Sequence, residues 1–371
     1  MTRLITFFMT IVFAFQTLFA NISIARNDRT DRSAPDPFSG TVRVLAADGW
    51  ASSVYPLADG TLIAGWESAD GIRTAVSADG GETWQNKTLA VSLPGYACAN
   101  INFYENGETL YLACRATGPT DAGFYTSLRL FQSADGGKSW HFHSVIDENT
   151  EPTGVFKGLW EPCLGEIGGK LVCVFANDST AVTTQQNIES LTWNGRAWTG
   201  RNILSNGEKH DSRDGMPVWI PLRGGGFVCV IESTKYRNLG YPFMIQMLFS
   251  EDGLTWSEPK DIYVPKTKGS KAAAPWIVQT DDGRLVLSFQ TDEDKEEKGD
   301  AVSVSKLISA RESDFSKLGR GSFSSARKLF PDEYDAFSMW GHLATNGETL
   351  YYSAGTPLGA AFVRFRSFPE R

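Results

Sequence analysis

Beyond residue 40 the chain alternates short apolar runs with turns of Asp, Asn, Ser and Gly, the signature of strands joined by tight hairpins. No apolar run with a 3.6-residue period interrupts them. One turn recurs almost letter for letter: Ser77–Trp84 reads SADGGETW, Ser133–Trp140 reads SADGGKSW, and Ser250–Trp256 reads SEDGLTW. Its Ser and Asp side chains can bond nearby amides, its glycines supply positive φ, and its Trp can pack back against the strands. The closing tryptophans Trp84, Trp140, Trp198 and Trp256 lie 56, 58 and 58 residues apart, Trp198 ending a decayed copy around Asn194-Gly195. A second turn interleaves with the first, ahead of Leu62, Leu110, Leu171, Phe227, Leu285 and Leu350. Six copies of a four-strand unit predict an all-β chain folded as a six-bladed β-propeller, four antiparallel strands per blade.

Within each unit, strand A runs into the Gly turn, strand B leaves it, and strand C leads through the Ser-x-Asp turn into strand D. The tight A–B and C–D turns then share one rim. The longer D–A and B–C connections share the other, which is the expected working face. Counting ten residues back from each Leu or Phe places Ser52, Asn100, Glu161, Pro217, Pro275 and Trp340 at the starts of the A strands. Counting five forward places Glu67, Arg115, Ala176, Glu232, Gln290 and Gly355 at the ends of the B strands. Carboxylates beside such apolar runs are costly unless paired or used. Glu161 and Glu232, from adjacent blades, therefore stand out as a pair able to cleave a glycosidic bond, one protonating the leaving oxygen and the other attacking or activating water. For Glu67 a structural and a functional role weigh equally.

At the N-terminus, Arg3 precedes an apolar or neutral run from Leu4 to Ala20 that ends in small residues. It reads as a secretory signal over residues 1–20, with cleavage possible up to residue 25, and is short for a membrane anchor. Residues 21–40 then form a flexible leader and 41–371 a single catalytic propeller, giving a secreted, extracellular protein. A net charge of −8 and the lack of a basic stripe argue against nucleic-acid binding. The acidic run Asp292–Asp300 reads as a solvated loop rather than a metal site, because lysines interrupt it. The four histidines form no metal set, and no phosphate loop is present, so no metal or cofactor is expected. Asn86 and Asn177 begin glycan acceptor triplets. Of five cysteines, Cys98 and Cys114 flank one A–B turn symmetrically and Cys163 and Cys173 another, with Cys229 left over. Each pair is open to a hairpin disulfide, and burial of all five as small hydrophobes fits equally well.

The repeated Ser-x-Asp turns resemble the Asp boxes of sialidases and their relatives. Ala99-Asn100 with the strand ending in Cys114-Arg115, Trp160-Glu161-Pro162-Cys163-Leu164, Arg213-Asp214-Gly215-Met216-Pro217 and Val230-Ile231-Glu232 resemble four stretches of glycoside hydrolase family 93, the exo-acting α-1,5-L-arabinanases. The resemblance implies retaining hydrolysis of linear arabinan from its non-reducing end, with Glu161 as general acid/base and Glu232 as nucleophile. A retaining pair needs carboxyl groups about 5–5.5 Å apart. The family also places a tyrosine beside the nucleophile. In DEYDAFSMWGH that slot falls on Phe337, with Tyr334 three residues away as the alternative, and Ser53, Ala116 and Thr117 replace other expected residues.

Further candidates for sugar contacts are Asn100, Arg115, Arg213, Asp178 and Asp214. Trp50, Trp160, Trp219, Trp276 and Trp340 stand near strand starts, where one or two can serve as stacking platforms. The expected partner is a polysaccharide or oligosaccharide, bound by a monomer with no membrane attachment after signal cleavage. Two alternatives remain. A sialidase-type enzyme for an anionic sugar needs converging arginines, and only Arg115 and Arg213 are near. A non-catalytic carbohydrate- or protein-binding propeller is favoured by the missing tyrosine.

Overall fold

The computed structural model describes residues 42–120, 123–149, 157–179, 184–311, 317–330, 336–347 and 349–366. The expected signal and leader, residues 1–40, lie outside the described residues, as does Tyr334. Among the described residues no helix is long and apolar enough to cross a membrane.

The short strand β1 (Val42–Ala46) comes first. Blade 1 follows as β2 (Trp50–Pro56), β3 (Leu62–Ser68), β4 (Gly71–Ser77) and β5 (Gln85–Val91), and blade 2 as β6 (Ala97–Asn106), β7 (Thr109–Thr120), β8 (Gly123–Ser133) and β9 (His141–Glu148). Blade 3 holds β10 (Leu159–Ile167), β11 (Lys170–Asn177), β12 (Asn187–Trp193) and β13 (Trp198–Ser205). Blade 4 holds β14 (Asp214–Pro221), β15 (Phe227–Ser233), β16 (Met244–Ser250) and β17 (Lys260–Tyr263). Blade 5 is β18 (Ala272–Gln279), β19 (Leu285–Thr291), β20 (Val304–Ala310) and β21 (Arg327–Lys328). Blade 6 is β22 (Met339–Thr345), β23 (Thr349–Thr356) and β24 (Gly359–Arg366), and β1 completes it by pairing with β24.

Every sheet is a four-stranded antiparallel meander, and each A strand touches the A strands of both neighbours, closing the ring. Because β1 supplies the outer strand of blade 6, that blade needs no Ser-x-Asp turn of its own. The joint between first and last blades is also hydrogen-bonded near the axis, where the Ser353 hydroxyl donates to the Ser52 carbonyl at 2.8 Å.

The repeated turns are joints between blades. In the second copy Ser133 Oγ donates to Asp135 Oδ1 (2.7 Å) and accepts from Gly137 N (2.9 Å), while Asp135 also accepts from the amide (2.9 Å) and hydroxyl (2.6 Å) of Ser139. Ser77 and Asp79 repeat the pattern with Gly81 and Thr83. Gly137, at φ +85°, lies against Ile63 of the preceding blade, where a Cβ would come within 2.3 Å of the Ile63 Cδ1. Only glycine meets both the torsion and the contact. The tryptophans likewise reach backwards: Trp140 Nε1 donates to Thr74 Oγ1 (3.2 Å), and Trp198 Nε1 to Ser144 Oγ (3.0 Å).

The blades bury their aliphatic faces against one another. Val172, Val174, Ile188, Val228, Val230, Ile245, Ile277 and Leu287 form one continuous core through blades 3, 4 and 5. This non-directional packing, rather than the hydrogen-bonded turns, supplies most of the driving force for closing the ring.

All five cysteines are buried free thiols, so neither hairpin disulfide is present. Register explains it. Cys163 stands opposite Val174 and Leu164 opposite Cys173, a one-residue offset that sends the two sulfurs to opposite sheet faces. Cys98 stands opposite Ala116, not Cys114. Asn177 is also no open glycan acceptor: its amide donates to Glu189 and accepts from Ser179, whereas Asn86 is exposed.

Candidate active site

Each A strand begins with the same local distortion. The β-ladder skips at Trp50/Ser53, Ala99/Asn102, Trp160/Cys163, Gly215/Val218, Ala273/Trp276 and Met339/His342. Inside each skip one residue adopts the left-handed conformation: Ala51, Asn100, Glu161, Met216, Ala274 and Trp340, with φ between +37° and +57°. A bulge re-aims the side chain it carries. A left-handed non-glycine residue costs about 1 kcal/mol or more, and here it recurs in six-fold register.

Of the six residues expected at the strand starts, all lie one to three residues inside their strands; Asn100, Glu161 and Trp340 are themselves the left-handed residue, whereas Ser52, Pro217 and Pro275 each follow it by one. The cause is turn length. Flanking pairs across the A–B turn are six apart in blades 1, 4 and 5 (Pro56↔Leu62, Pro221↔Phe227, Gln279↔Leu285). They are five apart in blades 2, 3 and 6 (Glu105↔Leu110, Glu166↔Leu171, Thr345↔Leu350). The B-strand positions Glu67, Arg115, Ala176, Glu232, Gln290 and Gly355 all fall opposite the residue before the distortion.

These two positions are wired across the blade boundaries. Glu67 Oε1 accepts from the amide of Asn100 (2.8 Å), Glu232 Oε2 from that of Ala274 (2.9 Å), and Gln290 Oε1 from that of Trp340 (2.7 Å). Where blade 3 has only Ala176, Glu161 itself reaches the amide of Met216, at 3.3 Å. In blade 6 the glycine at position 355 makes room for the Trp50 ring, which also packs edge-on against Trp340. Glu67 thus has a structural duty between blades 1 and 2.

Glu161 and Glu232 face the same small region. Burial raises the Glu161 carboxyl to about 7, against Arg213 and Arg115, which favour its charge, while the Glu232 charge works with burial. Glu161 keeps partial access to solvent. Glu232 is 7% exposed and is also raised by burial, but its charged form is supported on both oxygens. Arg213 Nη1 lies 3.5 Å from Oε1, and the Ala274 amide holds Oε2. The same oxygen Oε1 rests over Gly215, where a Cβ would meet it at 3.2 Å. One carboxyl is thus poised to hold a proton near neutrality, and its neighbour has a guanidinium and an amide to stabilise a negative charge.

Arg115 lies 4.7 Å over the Trp160 ring, with Glu161 and Glu67 as its charged neighbours. Burial raises Glu67 to about 7 as well. Trp160 is itself buried, its Nε1 fixed by Asp178 at 2.8 Å, and Asp178 also accepts from Gly158 N. So Trp160 supports Arg115 from beneath and is no exposed sugar platform, and Asp178 orients it. Asp214 is likewise committed inward: its two oxygens accept from Ser205 and Ser212 at 2.6 and 2.5 Å, and it is 1% exposed. Trp219 is buried over Gly165. Trp340 and Trp50 remain partly exposed at the ring, and Trp276 stacks on His342. Phe337 is buried against Trp50, so the position expected to align with a tyrosine is an apolar support.

Three contributors were invisible in the sequence. Lys271, at the start of blade 5, pairs with Asp300, which also accepts from Gln290 Nε2 at 2.9 Å. Buried Gln186 donates to the Asp214 carbonyl at 2.8 Å beside Glu232. The run from Asp292 to Asp300 departs from the expected free loop: Asp292 accepts from the amides of Lys271 and Gly299, and Glu293 is buried on Lys306 at 2.7 Å. Only its middle is exposed. Among the described residues no three His, Cys, Asp or Glu side chains gather as a metal site.

The described residues form a closed six-bladed propeller in which Glu161 and Glu232 lie beside Arg213. No protein-family model and no curated protein matches the chain. Among solved structures it is similar to an α-L-arabinofuranosidase of Fusarium graminearum in complex with an iminosugar inhibitor, at 17% identity over 87% of this chain and 94% of that one, TM-score 0.65. It is also similar to an α-L-arabinanase of Penicillium chrysogenum complexed with arabinobiose, at 18% identity, 87% and 94% coverage, TM-score 0.63. A third similar structure is the NanB sialidase of Streptococcus pneumoniae, at 10% identity, 94% and 72% coverage, TM-score 0.59. At these identities the likeness establishes the sialidase-like propeller fold.

Proposed function

We propose that this protein is a retaining glycoside hydrolase acting on linear α-1,5-L-arabinan. The observation that carries the reading is a pair of buried carboxyls from adjacent blades beside one guanidinium, Glu161 raised by burial to about 7 and Glu232 with Arg213 and the Ala274 amide on its two oxygens. Glu161 donates its proton to the glycosidic oxygen as Glu232 attacks the anomeric carbon, forming an ester and releasing the shortened chain as an alcohol. Glu161, now ionised, takes a proton from water. That water attacks the same carbon and returns Glu232 as a carboxylate.

The similar structures, an α-L-arabinofuranosidase and an α-L-arabinanase complexed with arabinobiose, support the substrate class. So does charge: among the described residues Arg213 is paired with Glu232, Arg115 has Glu67 and Glu161 as charged neighbours, and Lys271 is paired with Asp300, so each cation near the site already has a carboxylate beside it. Export of the chain and its action as a monomer belong to the same proposal, supported by the Leu4–Ala20 run and the closed ring. Product analysis on debranched arabinan tests it. Release of arabinobiose as the main early product is expected. Absence of turnover on arabinan would leave a binding propeller, and turnover confined to sialosides would overturn the substrate class.

A further inference from the structure

We propose that Lys271 and Asp300 form a positioning pair that governs when Glu232 carries its charge, Asp300 acting as the brake on Lys271. The inference rests on Glu232 being one of the two reacting carboxylates.

The geometry is a short chain of contacts at the boundary of blades 4 and 5. Lys271 stands three residues before Ala274, whose amide holds Glu232 Oε2 at 2.9 Å. Its own amide is fastened to Asp292 Oδ1 at 2.9 Å, and its ammonium, largely buried, is paired with Asp300. Asp300 is fixed in turn by Gln290 Nε2 at 2.9 Å, and the other end of that amide caps Trp340 N at 2.7 Å. The pair is therefore held at backbone and side chain, with little freedom to swing away. The charged groups that face Glu232 are Arg213 from the start of blade 4, Glu161 from blade 3, Lys271 from blade 5 and Asp300 from the acidic loop. Lys271 favours the Glu232 anion and Asp300 opposes it, so each offsets the other while they remain paired. Without Asp300 the Lys271 ammonium would favour the Glu232 anion unopposed and hold it charged at lower pH. A lone Asp300 would do the reverse.

Two substitutions separate this role from simple support. Asp300→Asn keeps the acceptor for Gln290 and removes only the charge. Lys271→Met keeps the aliphatic stem and the backbone N–H that donates to Asp292. Protein labelled with carboxyl-¹³C glutamate, its Glu232 resonance assigned by loss in Glu232→Gln, is titrated in the wild type, each single variant and the double variant. The midpoint is expected to move down in Asp300→Asn and up in Lys271→Met, by about half a pH unit each. In the double variant it should return close to the wild type. Both variants shifting the same way, as a loosened loop would produce, or neither shifting, overturns the proposal.

If arabinan is hydrolysed, the acidic limb of kcat/KM is expected to follow the same order. Failure of wild-type turnover would count against the proposed hydrolase alone, because the titration needs no substrate.

Discussion

Glu232→Gln is expected to lower kcat on debranched arabinan by on the order of 10⁴-fold while leaving the propeller folded. The amide is nearly the same shape and cannot attack as a carboxylate does. The fold has already run the structural control: Gln290 occupies the equivalent position one blade on, and its amide oxygen caps the next blade at 2.7 Å. A glutamine at 232 can therefore keep the bond to Ala274. What it loses is the charge facing Arg213. Unchanged thermal unfolding together with near-complete loss of turnover is the expected pair of results. Retained turnover would show that Glu232 is only the clamp that Glu67 and Gln290 exemplify.

The second large effect concerns proton transfer. Glu161→Gln should cost about 10²–10⁴-fold on arabinan, whose leaving group is a poor alkoxide, and much less on an aryl arabinofuranoside that departs unaided. The pH profile carries the same information. With its carboxyl raised to about 7 by burial, Glu161 is protonated below that pH and loses its proton above it. Activity should therefore fall as pH rises through neutrality, and this basic limb should vanish in Glu161→Gln assayed on the aryl substrate. Equal losses on both substrates, or a basic limb that survives, would assign the acid elsewhere. Glu67 is the first place to look, since burial raises it to the same range.

The ring was legible because its repeats are local: turn chemistry and strand length recur within the chain, and four-strand closure follows from them. The positions at strand ends were legible for the same reason, which is how Glu67, Glu161 and Glu232 came to one rim. What the sequence hid was set by contacts between distant segments. A turn one residue longer in blades 1, 4 and 5 moved the left-handed residue one place back from the counted position in three strands. Trp160 and Asp214 sat in suggestive motifs, yet their side chains turned inward to Asp178, Ser205 and Ser212. Lys271 and Asp300 meet only because the acidic loop folds back over the start of blade 5, and a run of mixed charge gives no hint of that. The cysteine spacing was symmetric about its turns, but pleat and register decided which way each sulfur faced.

The measurement that bears most directly on the account is the site of covalent trapping. A 2-fluoro arabinofuranoside with a good leaving group slows breakdown of a glycosyl-enzyme, so its added mass can be located by peptide mapping. One arabinosyl unit on Glu232 is the expected result. Label on a tyrosine or on Glu161, or inverted product with no adduct at all, would contradict it.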